Sequence, residues 1–392
     1  MMAASMALHA VAIDAMLPAL PQIGRAFMVS DGNRLQWIIT TFMMGAGAGQ
    51  LIYGPLSDRF GRRPVLLASL GLYVALSLLT MLATSLPAML VLRCVQGFVV
   101  AAASVVSRSI VRDQYAGETM ARVMSTIFIV FLIAPVLAPS VGQALLLVVS
   151  WRGIFGFLAL FGALVTTWVA LRLPETLATA KRRPLSAAHL SEAAWFVITE
   201  PTSILYTLAM SVMFGSLVAY VSTVPQIFAV AFRAPQLMAI TFAFCAGTMG
   251  LASFLNTRIV ERVGMRRISH SALIGFIFVT AIHAGVAYSG DERLVTFAIF
   301  QSLTMACFGL ATSNFGAIAM QPMGSIAGSA ASIQGVISTI GGAAVGSVIG
   351  QQWSGSVFFL PAGALMCGLA ALGCVLFAEN ARLFRHRARP HR

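Results

Sequence analysis

Charge is what this chain has least of. Only 9% of its 392 residues are charged, and twelve of those are acidic. A water-facing globular domain carries about 25% charged residues, so a soluble enzyme is excluded at the outset. Cysteine is scarce too. The five residues Cys94, Cys245, Cys307, Cys367 and Cys374 are odd in number, all lie in apolar stretches and form no CxxC or CxxH spacing. That pattern supports neither a disulfide framework nor a zinc site, and reads as packing. The glycine-rich stretches Gly45–Gly49 and Gly341–Gly346 lack the Lys-Ser/Thr ending of a phosphate loop, so ATP is not the expected energy source. No clustered His/Asp set and no soluble signalling domain is present, which disfavours a membrane-embedded enzyme or receptor. The N-terminus has no basic n-region and no cleavage site, and is read as a first span, not a signal peptide.

What is abundant is apolar: 59% of residues, 26 of them Phe, with a mean hydropathy of +0.89. Twelve apolar runs fall at about 1–23, 35–55, 64–84, 87–108, 120–148, 152–172, 203–229, 235–257, 268–289, 294–319, 329–350 and 357–378. Each is near the roughly 20 residues that a membrane-spanning helix needs. The expected fold is therefore an all-α polytopic membrane protein with twelve transmembrane helices. The net charge of +13 does not indicate a nucleic-acid partner, because the basic residues come in short bursts between the runs. Of the 25 Lys and Arg, 19 fall in one set of alternate loops and five in the other, with Arg93 alone inside a span. By the positive-inside rule this places both termini and the long polar stretch at 173–202 in the cytoplasm.

That stretch divides the chain into two six-helix bundles, 1–172 and 203–379, followed by a basic tail at 380–392. A repeat supports the division. Asp58-Arg59-Phe60-Gly61-Arg62-Arg63 recurs as Glu261-Arg262-Val263-Gly264-Met265-Arg266-Arg267, and Leu20-Pro21-Gln22-Ile23 recurs 204 positions later as Val224-Pro225-Gln226-Ile227. With an even number of spans each, the halves share one membrane orientation, and pseudo-symmetry about the membrane normal with a central cavity is expected.

The loop after the second run reads Gly54-Pro55-Leu56-Ser57-Asp58-Arg59-Phe60-Gly61-Arg62-Arg63-Pro64. Its two glycines permit a tight turn between close helices. Its carboxylate can sit at a helix N-terminus, and its arginines seek carboxylates such as Asp113. The ordered spacing resembles the signature loop of the major facilitator superfamily. The resemblance implies that Gly54, Asp58, Arg59, Gly61, Arg62 and Arg63, with Asp113, gate the cytoplasmic side. Other segments extend it. Arg93-Cys94-Val95-Gln96-Gly97 is similar to the family's R-x-x-Q-G element. Ala134-Pro135 and Ala138-Pro139-Ser140-Val141-Gly142 are similar to its antiporter motif, centred here on Pro135, Pro139 and Gly142, although Ala134 and Ala138 replace glycines. Asp14-x-x-x-Pro18-x-x-Pro21, Arg112-Asp113, Ser150-Trp151-Arg152 and Leu173-Pro174-Glu175-Thr176-Leu177 complete a pattern that resembles the Bcr/CflA drug-resistance subfamily. The two prolines of run five should kink it.

Asp14 is the only carboxylate well inside a run, and Arg93 the only basic residue there. An ionised carboxylate at such depth is costly unless paired, protonated or hydrated. The two are expected to pair and to couple protons. The repeat puts apolar Val218 opposite Asp14, so proton handling belongs to the first half. His283 reads as a hydrogen-bonded packing residue. Phe42, Gln96, Phe214 and Tyr220 are the candidate contacts for an amphipathic substrate. The resemblance implies a monomeric drug/proton antiporter that uses the proton gradient and no cofactor or metal, with drug-like molecules, protons and lipid as its partners. The alternative is a superfamily importer or exporter of a specific sugar or metabolite.

Overall fold

The computed structural model describes residues 1–115, 117–182, 187–290 and 292–384. Arg183 of the linker and Arg385, Arg387, Arg389 and Arg392 of the tail lie outside the described residues, and so do the side chains of Arg122 and Lys181. The twelve apolar runs correspond to twelve long helices, and no strand occurs among the described residues. They are α1 (Met2–Ala26), α2 (Trp37–Phe60), α3 (Arg62–Met81), α4 (Leu86–Gln114), α5 (Gly117–Leu145) and α6 (Trp151–Arg172). After the linker follow α7 (Pro201–Gln226), α8 (Met238–Val263), α9 (Met265–Ser289), α10 (Leu294–Met320), α11 (Ala327–Gly350) and α12 (Phe359–Ala378). Ten of these are long and apolar enough to cross a membrane. The other two are α2, diluted by Gly45, Gly47 and Gly49, and α5, whose stretch Ile133–Leu145 qualifies as a shorter apolar helix. At about 1.5 Å per residue, the 24 residues of α2 still reach about 36 Å.

Two compact units emerge. The first comprises Met1–Leu190 with Val221–Ala243, and the second runs over Ser191–Tyr220 and from Phe244 onward. Helix α7 thus changes unit between Tyr220 and Val221. In the first unit, Gln36 donates from its amide to the Gln226 side-chain oxygen at 2.8 Å, which ties the segment beyond Val221 to the start of α2.

Proline shapes α1 near its centre. The regular helix ends at Asp14, one 3₁₀ turn runs over Leu17–Ala19, and a second helical piece covers Leu20–Ala26. Pro18 has no N–H to give to the carbonyl four residues back, which is that of Asp14. The helix therefore loosens at its one acidic residue. Helix α5, by contrast, runs on unbroken through Pro135 and Pro139; membrane helices tolerate such residues where neighbours satisfy the freed carbonyls.

Helices meet backbone to backbone where glycine removes the side chain, the contact that drives association in lipid. A Cβ at Gly45 would overlap the Cys94 carbonyl, and one at Gly97 the Phe42 carbonyl, so α2 and α4 pack as closely as two helices can. Gly142 places α5 against the Ala15 carbonyl of α1, one residue past Asp14. In the second unit Gly346, 204 positions after Gly142, holds α11 against Val218 and the Gly215 carbonyl of α7. The glycine stretches are therefore packing surfaces, as their lack of a Lys-Ser/Thr ending indicated. Gly97→Ala should destabilise the protein by about 1–3 kcal/mol, the usual cost of overpacking. Gly71→Ala, whose Cβ would meet nothing within 4 Å, should not destabilise it and should gain up to about 1 kcal/mol, because Gly is the poorer helix former. Thermal unfolding in detergent distinguishes the two, and equal behaviour would contradict the packing described.

Candidate functional site: a charged turn and a buried acid

The signature loop is a one-residue turn between two successive helices. Helix α2 ends at Phe60, Gly61 takes φ 101°, and α3 begins at once with Arg62. A side chain at Gly61 would be strained by that φ and would strike the Glu175 carboxylate. The first turn of α3 exposes N–H groups that have no helical partner. Glu175, just past α6, accepts from the backbone N–H groups of Arg62 at 3.0 Å and Arg63 at 3.3 Å. The expected role of an acid at the helix N-terminus is thus filled by Glu175, and not by Asp58. Asp58 lies on the last turn of α2 and pairs with Arg62 one turn away.

Arg62 is the centre of this cluster and is only 4% exposed. Its Nε donates to Asp113 at 2.9 Å and its Nη1 to the Ser57 hydroxyl at 2.7 Å, while Ser57 donates back to the Gly54 carbonyl at 2.9 Å. Arg63 donates to the Ala170 carbonyl at 2.9 Å, and Arg59 lies over its neighbour Phe60. One guanidinium therefore joins the ends of α2 and α4, and one carboxylate joins the start of α3 to the end of α6.

The second unit builds the same turn with different partners. Gly264 has φ 92°, and Arg266, 204 positions after Arg62, donates to Glu379 at 2.6 Å. Glu379 stands 204 positions after Glu175. The Tyr206 hydroxyl donates to the same carboxylate oxygen at 2.8 Å and lies 2.9 Å from His270 Nε2. Glu379, Tyr206 and His270 take part in these charged turns and were not singled out by the motifs, and Glu175 entered only as part of the Leu173–Leu177 pattern, with no role attached. Carrying Glu175 forward by the repeat offset lands on Glu379 and would have found that one.

Within the first unit's spans, Asp14 is 6% exposed and has no hydrogen bond or ion pair among the described residues. Arg93 is fully buried, and the expected ion pair with Asp14 is not formed. The guanidinium instead donates to the Ala12 carbonyl of α1 at 3.0 Å and to Gln96 at 2.7 Å. The Phe42 ring lies 4.2 Å from its carbon and Phe155 5.9 Å, a cation–π cradle that partly replaces hydration. Carbonyl, amide and ring faces take the place of a carboxylate at Nη1 and Nη2, while the buried Nε has no hydrogen-bond partner among the described residues, and the carbonyl anchors the group two residues from Asp14. His9, which the motifs did not single out, meets Phe42 edge-on at 5.5 Å and joins this group.

The four candidate substrate contacts are placed inside the bundles. Phe42 faces Arg93, and Gln96 bridges Arg93 to the Ser77 hydroxyl at 2.7 Å. Tyr220 is buried beside Phe297. Phe214 is half-buried against Gly342. His283 is hydrogen-bonded, as expected, and its partner is the buried Glu292. Pro135 is half-buried, whereas Pro139 and Gly142 are buried. No group of three or more His, Cys, Asp and Glu residues suited to a metal occurs among the described residues.

The family model of the Major Facilitator Superfamily matches residues 2–346. The chain is similar to an uncharacterized MFS-type transporter, YdgK, of Bacillus subtilis, at 31% identity over 93% of this chain and 90% of that protein. It is similar to a bicyclomycin resistance protein homolog of Haemophilus influenzae, at 30% identity over 87% of this chain and 85% of that one. The fold matches the crystal structure of a D-xylose-proton symporter with a TM-score of 0.78 at 13% identity, over 98% of this chain and 97% of that one.

Asp113→Asn should remove one of the two carboxylates on a nearly buried guanidinium and cost about 1–3 kcal/mol of stability. Arg59→Gln, at a side chain with no carboxylate partner among the described residues, should cost under about 0.5 kcal/mol. Denaturation of the two purified variants checks the order, and a reversed order would contradict the central place given to Arg62.

Proposed function

Because the chain belongs to the major facilitator superfamily, we propose that it is a proton-coupled multidrug efflux antiporter. It exports small amphipathic or hydrophobic compounds across a bacterial inner membrane by alternating access, with both termini cytoplasmic. The observation that carries this reading is the state of Asp14: a carboxyl group in the middle of a span, nearly inaccessible, with no partner among the described residues. Such a group is stable in a bilayer only when neutral or when hydrated or countered, so moving a proton on and off it changes the energetics of the whole bundle. The name of the Haemophilus relative, a bicyclomycin resistance protein homolog, supports a drug-like substrate class.

The residues divide the work. Asp14 takes up the proton from outside and gives it up when drug binds. Arg93, anchored to the Ala12 carbonyl, holds positive charge beside the same stretch of α1 and favours the deprotonated form once drug has arrived. The loosened backbone after Asp14 and the close approach at Gly142 let α1 respond without breaking a regular hydrogen-bond ladder. Exchange needs no covalent step and no cofactor; the proton gradient supplies the energy. The Arg62 cluster governs the cytoplasmic side.

In inverted vesicles, Asp14→Asn should abolish proton-driven drug transport while leaving the folded protein in the membrane, and Asp14→Glu should keep part of it. Full proton-driven transport by Asp14→Asn would overturn the proposal.

A further inference from the structure

The two bundles treat their matching arginine pairs differently, and the difference leaves a cation beside an apolar groove. Arg62 and Arg266 both turn inward to carboxylates. Arg63 turns into its own bundle, where one guanidinium N–H donates to the Ala170 carbonyl. Arg267, 204 positions after Arg63, is exposed and has no hydrogen bond or ion pair among the described residues. It lines a groove of about 610 Å³ on the second unit, walled by Ile259 and Val263 of α8, Ile268 of α9, Leu310 of α10 and Phe384. Ser271, one turn beyond Arg267 on the same face of α9, adds a hydroxyl to the lining.

The wall after α12 is a fixed part of this groove. Phe384 has φ 65°, donates its backbone N–H to His270 Nδ1 at 3.1 Å and sets its ring against that imidazole at 5.7 Å. His270 is held in turn by Tyr206. Buried hydrogen bonds thus hold an aromatic ring over the groove's side.

The chemistry of the lining reads along the membrane normal. Arg267 is the third residue of α9, at its polar end, and Ala272 lies about 8 Å deeper at 1.5 Å per residue. Arg262 and Glu261, both exposed on the last turn of α8, are not part of the lining, so Arg267 is the charged group that the groove presents among the described residues. A cation at headgroup depth above an apolar trough is complementary to a phospholipid, and its unmatched positive charge selects an anionic one. We propose that this groove is a binding site for an anionic phospholipid of the leaflet on the arginine-rich side, its phosphate paired with Arg267 and an acyl chain laid between α8, α9 and α10.

Native mass spectrometry of the full-length protein in detergent, offered equal amounts of phosphatidylglycerol and phosphatidylcholine with the same chains, tests this. The expected result is retention of phosphatidylglycerol over phosphatidylcholine by about fivefold, the factor that one basic group contributes at an anionic surface. Arg267→Lys should keep that preference and Arg267→Gln should remove it. Ser271→Trp, which plugs the mouth from an exposed position, should lower retention of both lipids in a protein that remains monodisperse. Equal retention of the two lipids by the unmodified protein, an unchanged preference in Arg267→Gln, or unchanged retention in Ser271→Trp would each overturn the proposal. None of these readouts depends on transport, so the site stands or falls separately from the efflux function.

Discussion

A charge inside a membrane span must be neutralised, paired or surrounded by dipoles, and much of the first bundle follows from how two such charges are treated. Arg93 cannot shed its proton under physiological conditions, and it is given a carbonyl, an amide and two aromatic faces. Asp14 can shed or take a proton, and no partner is provided for it among the described residues. This asymmetry separates a fixed charge from a variable one. Joining the two in a tight salt bridge would have held both in place, since breaking a buried pair leaves an uncompensated ion. Anchoring the arginine to α1 two residues away keeps its field nearby while leaving the acid outside an ion pair.

The scaffold around that pair relies on close backbone contact. Gly45 and Gly97 bring α2 onto α4, and Gly142 brings α5 onto α1 beside Asp14. The second bundle repeats the last contact with Gly346 but has Val218 where the first has the acid. The same divergence runs through the charged turns. Both begin with a glycine of positive φ and an inward arginine, yet Asp113 serves the first, while Glu379 and Tyr206 serve the second. The two bundles share the close packing and the inward arginine, and they differ in the chemistry beyond them.

The helices were legible because hydropathy over some twenty residues is a local property, and the signature loop was legible because its spacing is contiguous. What stayed hidden depends on distant partners. Glu175 caps a helix 113 residues earlier in the chain, and nothing in its own pentapeptide reports that. Among ionisable residues alone, Arg93 is what the sequence offers Asp14, and the sequence does not display the backbone carbonyl and ring faces that Arg93 uses instead. Likewise, an aromatic residue at mid-depth looks the same in sequence whether it faces a substrate or, like Phe42, a neighbouring guanidinium. Glu379 is the intermediate case, readable once the repeat offset was carried past the motif that revealed it.

The most direct test of the central claim is proton release from the purified protein in unbuffered detergent on addition of a transported drug. Release by the unmodified protein, absent in Asp14→Asn although that variant still binds the drug, is the predicted result. Undiminished release by Asp14→Asn would place the exchanged proton elsewhere and contradict it.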